Sequence, residues 1–202
     1  MKSGWVKAGL ALALLAAPLP AAAQDLMNGS EGESFLKAID DGDVGKALPF
    51  LNEPGSRVAT YRGYKGDTAL HIVTKRRDIT WVAFLLTKGA DPNIGDNQGD
   101  TSLIIAARVG FEEGAREMLA RGARPDATNR RGETALIIAV QQRQPHLVQL
   151  LLQAGANPDK ADHAAGYTAR DYAKRDTRNP QLLKLIETVK STRKQVAGPS
   201  IN

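Results

Sequence analysis

GDTALHIVTKRRD, residues 66–78, sets a threonine, a histidine and a run of basic side chains close together. Read alone, it suggests a site. The chain then repeats it: GDTSLIIAARVGF begins 33 residues later at Gly99, and GETALIIAVQQRQ another 33 later at Gly132. The polar frame returns while the histidine does not, so the stretch is first of all a structural unit. Other rows fall into the same register: Thr68, Thr101 and Thr134; Leu70, Leu103 and Leu136; Leu85 and Leu86 with Leu119 and with Leu151 and Leu152. TKGADPN from Thr87, ARGARPD from Ala120 and QAGANPD from Gln153 recur likewise.

Each unit reads as two short antiparallel helices and a projecting turn. Thr68, Thr101 and Thr134 have the side chain of an N-cap, which accepts from free N–H groups of the first turn. Leu70 and Val73, three apart, lie on one helical face. A second helix, roughly Thr80 to Thr87, carries Val82, Leu85 and Leu86 at helical spacing. Gly89 ends it where a left-handed residue is needed, and Asp91-Pro92 begins a turn. Ala106, Ala107 and Ala139 let neighbouring first helices approach, while the second helices carry bulkier leucines. Such a stack curves, with the first helices and turn tips on its concave side.

These residues resemble the ankyrin repeat, whose 33-residue unit carries G-x-T-P-L-H-x-A-A, then L-L, then G-A. The resemblance is strong over residues 66–159 and weaker at both ends. Ala69, Ser102 and Ala135 stand where the family usually has proline, and Ile104 and Ile137 replace the motif histidine that survives as His71. It implies an all-α solenoid of stacked helix-turn-helix units with projecting β-turn fingers, about five units including two caps. The N-cap unit is placed at 34–65, internal units at 66–98, 99–131 and 132–165, and the C-cap unit at 166–187, within a domain of residues 34–187. Arg170 and Asp171 stand where internal units are apolar, as a terminal unit needs on its outer face.

The first 23 residues read as a secretory signal peptide: MKSGWVK is a basic start, AGLALALLAA an apolar run, and PLPAAA a small-residue end, with cleavage near Ala23. An apolar run of about ten is roughly half of what spans a bilayer. Residues 24–33 are expected to be a flexible N-terminus and 188–202 a disordered basic tail. Removal of Lys2 and Lys7 leaves 25 basic and 22 acidic residues, so overall charge points to no particular partner. The absence of cysteine excludes disulfides, thiolate metal sites and cysteine nucleophiles.

Residue chemistry points away from catalysis. His71 sits at the motif position where the resemblance implies a hydrogen bond to the neighbouring turn. His146 and His163 are far from it in the frame, and no two form a metal pair. DNQGD at 96–100 has the alternation of a calcium loop, but Ala107 stands where the closing Glu is needed. Asn28-Gly29-Ser30 matches a glycosylation acceptor. No phosphate loop, paired catalytic carboxylates or serine elbow is present, so no cofactor is expected.

What remains is a surface. The resemblance implies that a partner lies along the turn tips and exposed first-helix positions: Arg62, Tyr64, Lys65 and Asp67, then Asn97, Gln98 and Asp100, then Arg130, Arg131 and Glu133, then His163 and Tyr167. First-helix ends add Lys75, Arg76, Arg77, Arg108, Gln141, Gln142, Arg143 and Arg175. Basic residues dominate this face, whereas Glu112, Glu113 and Glu117 map to a second helix. The expected function is a monomeric, non-catalytic protein-binding scaffold of the bacterial periplasm, its partner carrying an acidic patch. Changing Arg76, Arg108 and Arg131 together to Glu is expected to leave the fold intact and to weaken partner capture. The alternative is a basic groove and tail that tether the protein to an anionic membrane or cell-wall surface. Nucleic acid is not expected, because no stacking aromatics interleave the basic residues.

Overall fold

Four threonines start four helices. Thr68, Thr101, Thr134 and Thr168 each hold an extended backbone while the side chain accepts the N–H three residues on. The repeat marks three of these caps; Thr168 extends the series to the last unit. In this computed structural model the backbone is described over residues 21–196 and the side chains over 30–188.

The helices fall into five pairs: α1 (Ala21–Asp40) with α2 (Val44–Asn52), α3 (Ala69–Lys75) with α4 (Ile79–Thr87), α5 (Ser102–Val109) with α6 (Glu112–Ala120), α7 (Ala135–Gln141) with α8 (Pro145–Gln153), and α9 (Ala169–Arg175) with α10 (Pro180–Val196). The first helices pack in series, α1 on α3 on α5 on α7 on α9, and α4, α6, α8 and α10 form an outer layer. The result is an all-α helical repeat solenoid. Ala106, Ala107 and Ala139 are fully buried between adjoining first helices, as close approach requires. Leu70, Leu85, Leu103, Leu136, Leu151 and Leu152 fill one continuous core.

Fingers project between the pairs, each closed by a single antiparallel bridge: Gly95 with Thr101, Thr128 with Thr134, and Ala161 with Thr168. The glycines at the 33-residue spacing have two reasons to be there. Gly66, Gly99 and Gly132 have φ of 81°, 77° and 76°, a region that disfavours any residue with a Cβ. A Cβ on them would also stand 2.6 Å from the Asn97 nitrogen, 3.0 Å from the Arg130 nitrogen and 2.7 Å from the His163 nitrogen. Each finger therefore lies directly against the glycine of the one before it. Backbone bonds run between the fingers: Arg130 N–H donates to Gln98 O at 2.9 Å and His163 N–H to Arg131 O at 2.8 Å.

Helix extends beyond the repeat units at both ends. Residues 24–33, expected to be flexible, continue α1. Its C-terminal part is tied down because Glu33 Oε1 accepts from the Tyr61 hydroxyl at 3.2 Å and from Tyr64 N–H at 2.9 Å. Helix α10 runs to Val196, through much of the segment 188–202 expected to be disordered. Residues 1–20 of the expected signal peptide lie outside the described residues, as do 197–202, while 21–23 open α1. Arg170 and Asp171 serve the last unit as ligands. Arg170 Nε donates to Asp159 at 2.7 Å, and Asp171 accepts from both the N–H and hydroxyl of Thr168.

Gly132→Ala is expected to lower unfolding free energy by about 3 kcal/mol, combining the left-handed backbone with a clash against main chain that cannot swing aside. Urea denaturation followed by circular dichroism checks this.

Candidate partner-binding face

His71 is the one histidine the motif retains, and its surroundings settle its chemistry. It is fully buried in α3. Nδ1 lies 2.9 Å from Thr68 N, and since a backbone N–H can only donate, Nδ1 must be the unprotonated nitrogen. Nε2 therefore carries the proton and donates to Asp100 O in the next finger at 3.0 Å. Burial pushes the imidazole pKa below its ordinary value, and the Asp67 and Asp96 carboxylates offset this only in part. A neutral ring with both nitrogens spent is a strut between units. It has no free lone pair for general-base work.

Much of the expected binding surface is likewise occupied within the chain. Lys75 Nζ binds Asp67 at 2.8 Å, and one unit on Arg108 binds Asp100 at 2.7 Å, each first helix gripping the base of its own finger. Asp100, nearly buried, also accepts from Asn129 Nδ2 at 2.8 Å, and the same amide reaches Glu133. Arg131 closes this network on Glu133 at 2.7 Å. Burial pulls the Glu133 carboxyl up, but bonds from Asn129 and Arg131 outweigh it and hold the pKa below its ordinary value. Arg62 spans fingers, donating to Gly95 O and to Asn97 Oδ1 at 2.7 Å. Arg76 Nη1 donates to Ile39 O at 2.7 Å at the C-terminal end of α1. Arg143 makes a two-point bond to Asp176 at 2.7 and 3.3 Å.

The residues left for a partner are fewer. Among the described residues, Lys65, Arg77 and Arg130 are exposed cations whose side chains carry no hydrogen bond or ion pair. Tyr64 at the first finger tip is 85% exposed. Gln98, Gln141 and Gln142 present exposed side chains, and Arg175 stacks on Tyr167 with its guanidinium 4.1 Å from the ring centre. His163 is exposed but pressed against Gly132.

Two grooves open on this face. One of about 420 Å³ lies between α1 and α3, lined by the apolar Leu36 and Ile72, by Lys37, Lys65, Lys75 and Arg76, and by the carboxylates Glu33, Asp40 and Asp67. Ile72 shares its register with Ile105 and Ile138, which are 3% exposed, yet is itself only half-buried. The other groove, of about 390 Å³, is lined by Gln141, Arg143, Tyr172, Arg175 and Asp176 among others. Sequence reading missed Leu36, Ile72, Asn129 and Asp176. The signal for Asp176 was available, since it stands 33 residues beyond Arg143.

The twenty sequence-assigned residues hold ten basic side chains against three carboxylates. That surplus of seven exceeds the +5 of the whole chain, so the remainder is net acidic. Among the described residues no three His, Asp or Glu side chains are grouped to hold a metal ion. No described helix is long and apolar enough to cross a membrane.

A family model described as ankyrin repeats, in three copies, matches residues 35–129, and a single ankyrin repeat model matches residues 131–163. The chain belongs to the ankyrin-repeat family. The matched residues take in the first four helical hairpins, including the N-terminal one that lacks the G-x-T opening. Ankyrin repeats are generally protein–protein interaction modules and typically non-catalytic scaffolds, which agrees with a histidine committed to holding units together.

Two outcomes follow from this geometry. The triple change of Arg76, Arg108 and Arg131 to Glu, expected from sequence to spare the fold, sets new carboxylates against Asp100, Glu133 and the α1 carbonyls. It should lose about 1 kcal/mol per site in chemical denaturation. Because the folded pKa of His71 lies below the unfolded value of 6.5, the unfolded chain gains a proton first as pH falls. The stability that depends on the neutral ring is fully present above the unfolded pKa and is lost as pH falls from there through the lowered folded value. His71→Gln, which can accept from Thr68 and donate to Asp100, should flatten that decline in denaturant titrations run at about pH 7.5 and pH 5.

Proposed function

We propose that the protein is exported to the bacterial periplasm, loses residues 1–23, and acts there as a monomeric, non-catalytic scaffold that holds a protein partner by an acidic patch. The binding surface is the face of first helices and fingers. One observation carries the reading: the three carboxylates assigned to the inner face, Asp67, Asp100 and Glu133, are already paired within the chain, while several of its cations are left free. On the outer side Lys46 pairs with Asp43, Arg116 with Glu112 and Arg121 with Glu117. On the inner face Lys65, Arg77 and Arg130 have no such partner. Unneutralised guanidinium and ammonium groups steer an acidic surface and are ready to bind its carboxylates. The groove at Leu36 and Ile72, with Tyr64 beside it, adds apolar area where an anchor side chain can settle. Export is supported by the basic, apolar and small-residue order of the first 23 residues.

Removing Lys65, Arg130 and Arg175 together, each to Ala, breaks no ion pair within the chain. It should cut capture of a cross-linked partner from periplasmic extract by about tenfold or more, while Arg121→Ala on the outer layer leaves the yield unchanged. Equal yield from both variants would place the binding surface elsewhere. Binding to anionic vesicles that fades with added salt would support surface tethering instead.

A further inference from the structure

Among the described residues only two non-glycine positions have positive φ, Arg77 at 57° and Arg143 at 56°. Both follow the end of a first helix, where the equivalent positions of other hairpins are glycines, Gly42 at 70° and Gly110 at 67°. Glycine suits this turn, and a side chain there is held against a backbone preference. For Arg143 the compensation is visible: its guanidinium grips Asp176 in the next hairpin through two bonds. Those bonds hold the Asp176 carboxyl below the ordinary carboxylate range.

Arg77 has the same backbone and no such reward. The 33-residue register puts Gly110 where Asp176 stands relative to Arg143, and Gly110 has no side chain to offer an acceptor. The neighbouring Asp78 carboxylate accepts the Trp81 N–H as the cap of α4. The adjacent Arg76 donates to the carbonyl oxygens that end α1 and supplies no carboxylate to Arg77. Arg77 itself is exposed.

We propose that Arg77 is a carboxylate anchor of the inner-face site, taking from a partner's Asp or Glu the two-point bond that Asp176 supplies to Arg143 within the chain. This rests on the acidic-partner reading above and sharpens it. The guanidinium fork matches a carboxylate in plane, which a lysine ammonium does not. The internal Arg143–Asp176 pair shows the approach available: the acid arrives from the side of the following hairpin, at Gly110 and beside the half-buried Val109 side chain. The chemical class of ligand is therefore an acidic peptide segment.

The test uses the mature chain, labelled with 15N at arginine, and a capped octaglutamate peptide at physiological salt. On titration the Arg77 Nε–H resonance should move and that of Arg143 should stay. Arg77→Gly should weaken peptide binding about tenfold, the scale of one charge-assisted bond, and raise the melting temperature by relieving the left-handed backbone. A residue that merely stabilised the turn would not give this opposite pair of effects. Arg77→Lys should weaken binding several-fold, and Lys184→Ala on α10 should leave it unchanged.

If Arg77→Gly binds as wild type while loss of Lys65 and Arg130 weakens binding, Arg77 is no anchor although the acidic-partner reading stands. Equal losses from Arg77→Gly and Lys184→Ala would show diffuse charge and overturn the assignment. If octaglutamate does not bind the wild type at all, both readings fall together.

Discussion

The whole stack depends on backbone lying on backbone at three glycines. Gly66, Gly99 and Gly132 each give up a side chain so that the next finger can rest within 3.0 Å of where a Cβ would be. Their positive φ turns the chain back toward its helix at the same point. The constraint fixes the distance between hairpins, and through it the approach of the first helices, which is why alanines fit between α5 and α7. A helical hairpin this short buries too little surface to stand alone; it is stable because its neighbours hold it at this spacing.

Given that spacing, different units use different chemistry for the same job. His71 joins α3 to the following finger by donating to Asp100 O, whereas Ile104 and Ile137 fill the same register with apolar volume alone. Asp171 reproduces half of the histidine's role by accepting the Thr168 N–H, but cannot reach onward. The first and last hairpins are tied in by long side chains of their neighbours: Arg76 of the second hairpin reaches back to the α1 carbonyls, and Arg143 of the fourth reaches forward to Asp176. Such exchange is expected where each interface is local, because a tie need satisfy only one neighbour.

The 33-residue period makes the hairpins, caps and finger positions legible in the amino-acid sequence alone. The same period is blind to pairing. Arg108 and Arg130 look alike in sequence, yet one is locked on Asp100 and the other is free. The difference lies in whether a side chain reaches a carboxylate in the folded hairpin, which no single row of the repeat encodes. Polar residues read as a wet outer face, Arg170 and Asp171, are ligands for the same reason. The continuation of α1 through 24–33 escapes sequence reading because its anchor, Glu33 on Tyr61 and Tyr64, joins residues far apart along the chain.

Occupancy also changes what the charge on the face means. Ten basic residues suggest a uniformly positive strip, but more than half of them hold carboxylates of the chain or fixed carbonyls. Displacing Asp100 from Arg108 to admit a partner would leave Asp100 nearly buried with Asn129 as its remaining side-chain contact, an unfavourable exchange. A partner's acids therefore gain most from cations with nothing to give up, and these are spread from the first finger to the third. On the proposed reading of an acidic partner, a surface of separated free charges with an apolar groove at one end suits an extended segment better than a single compact anion.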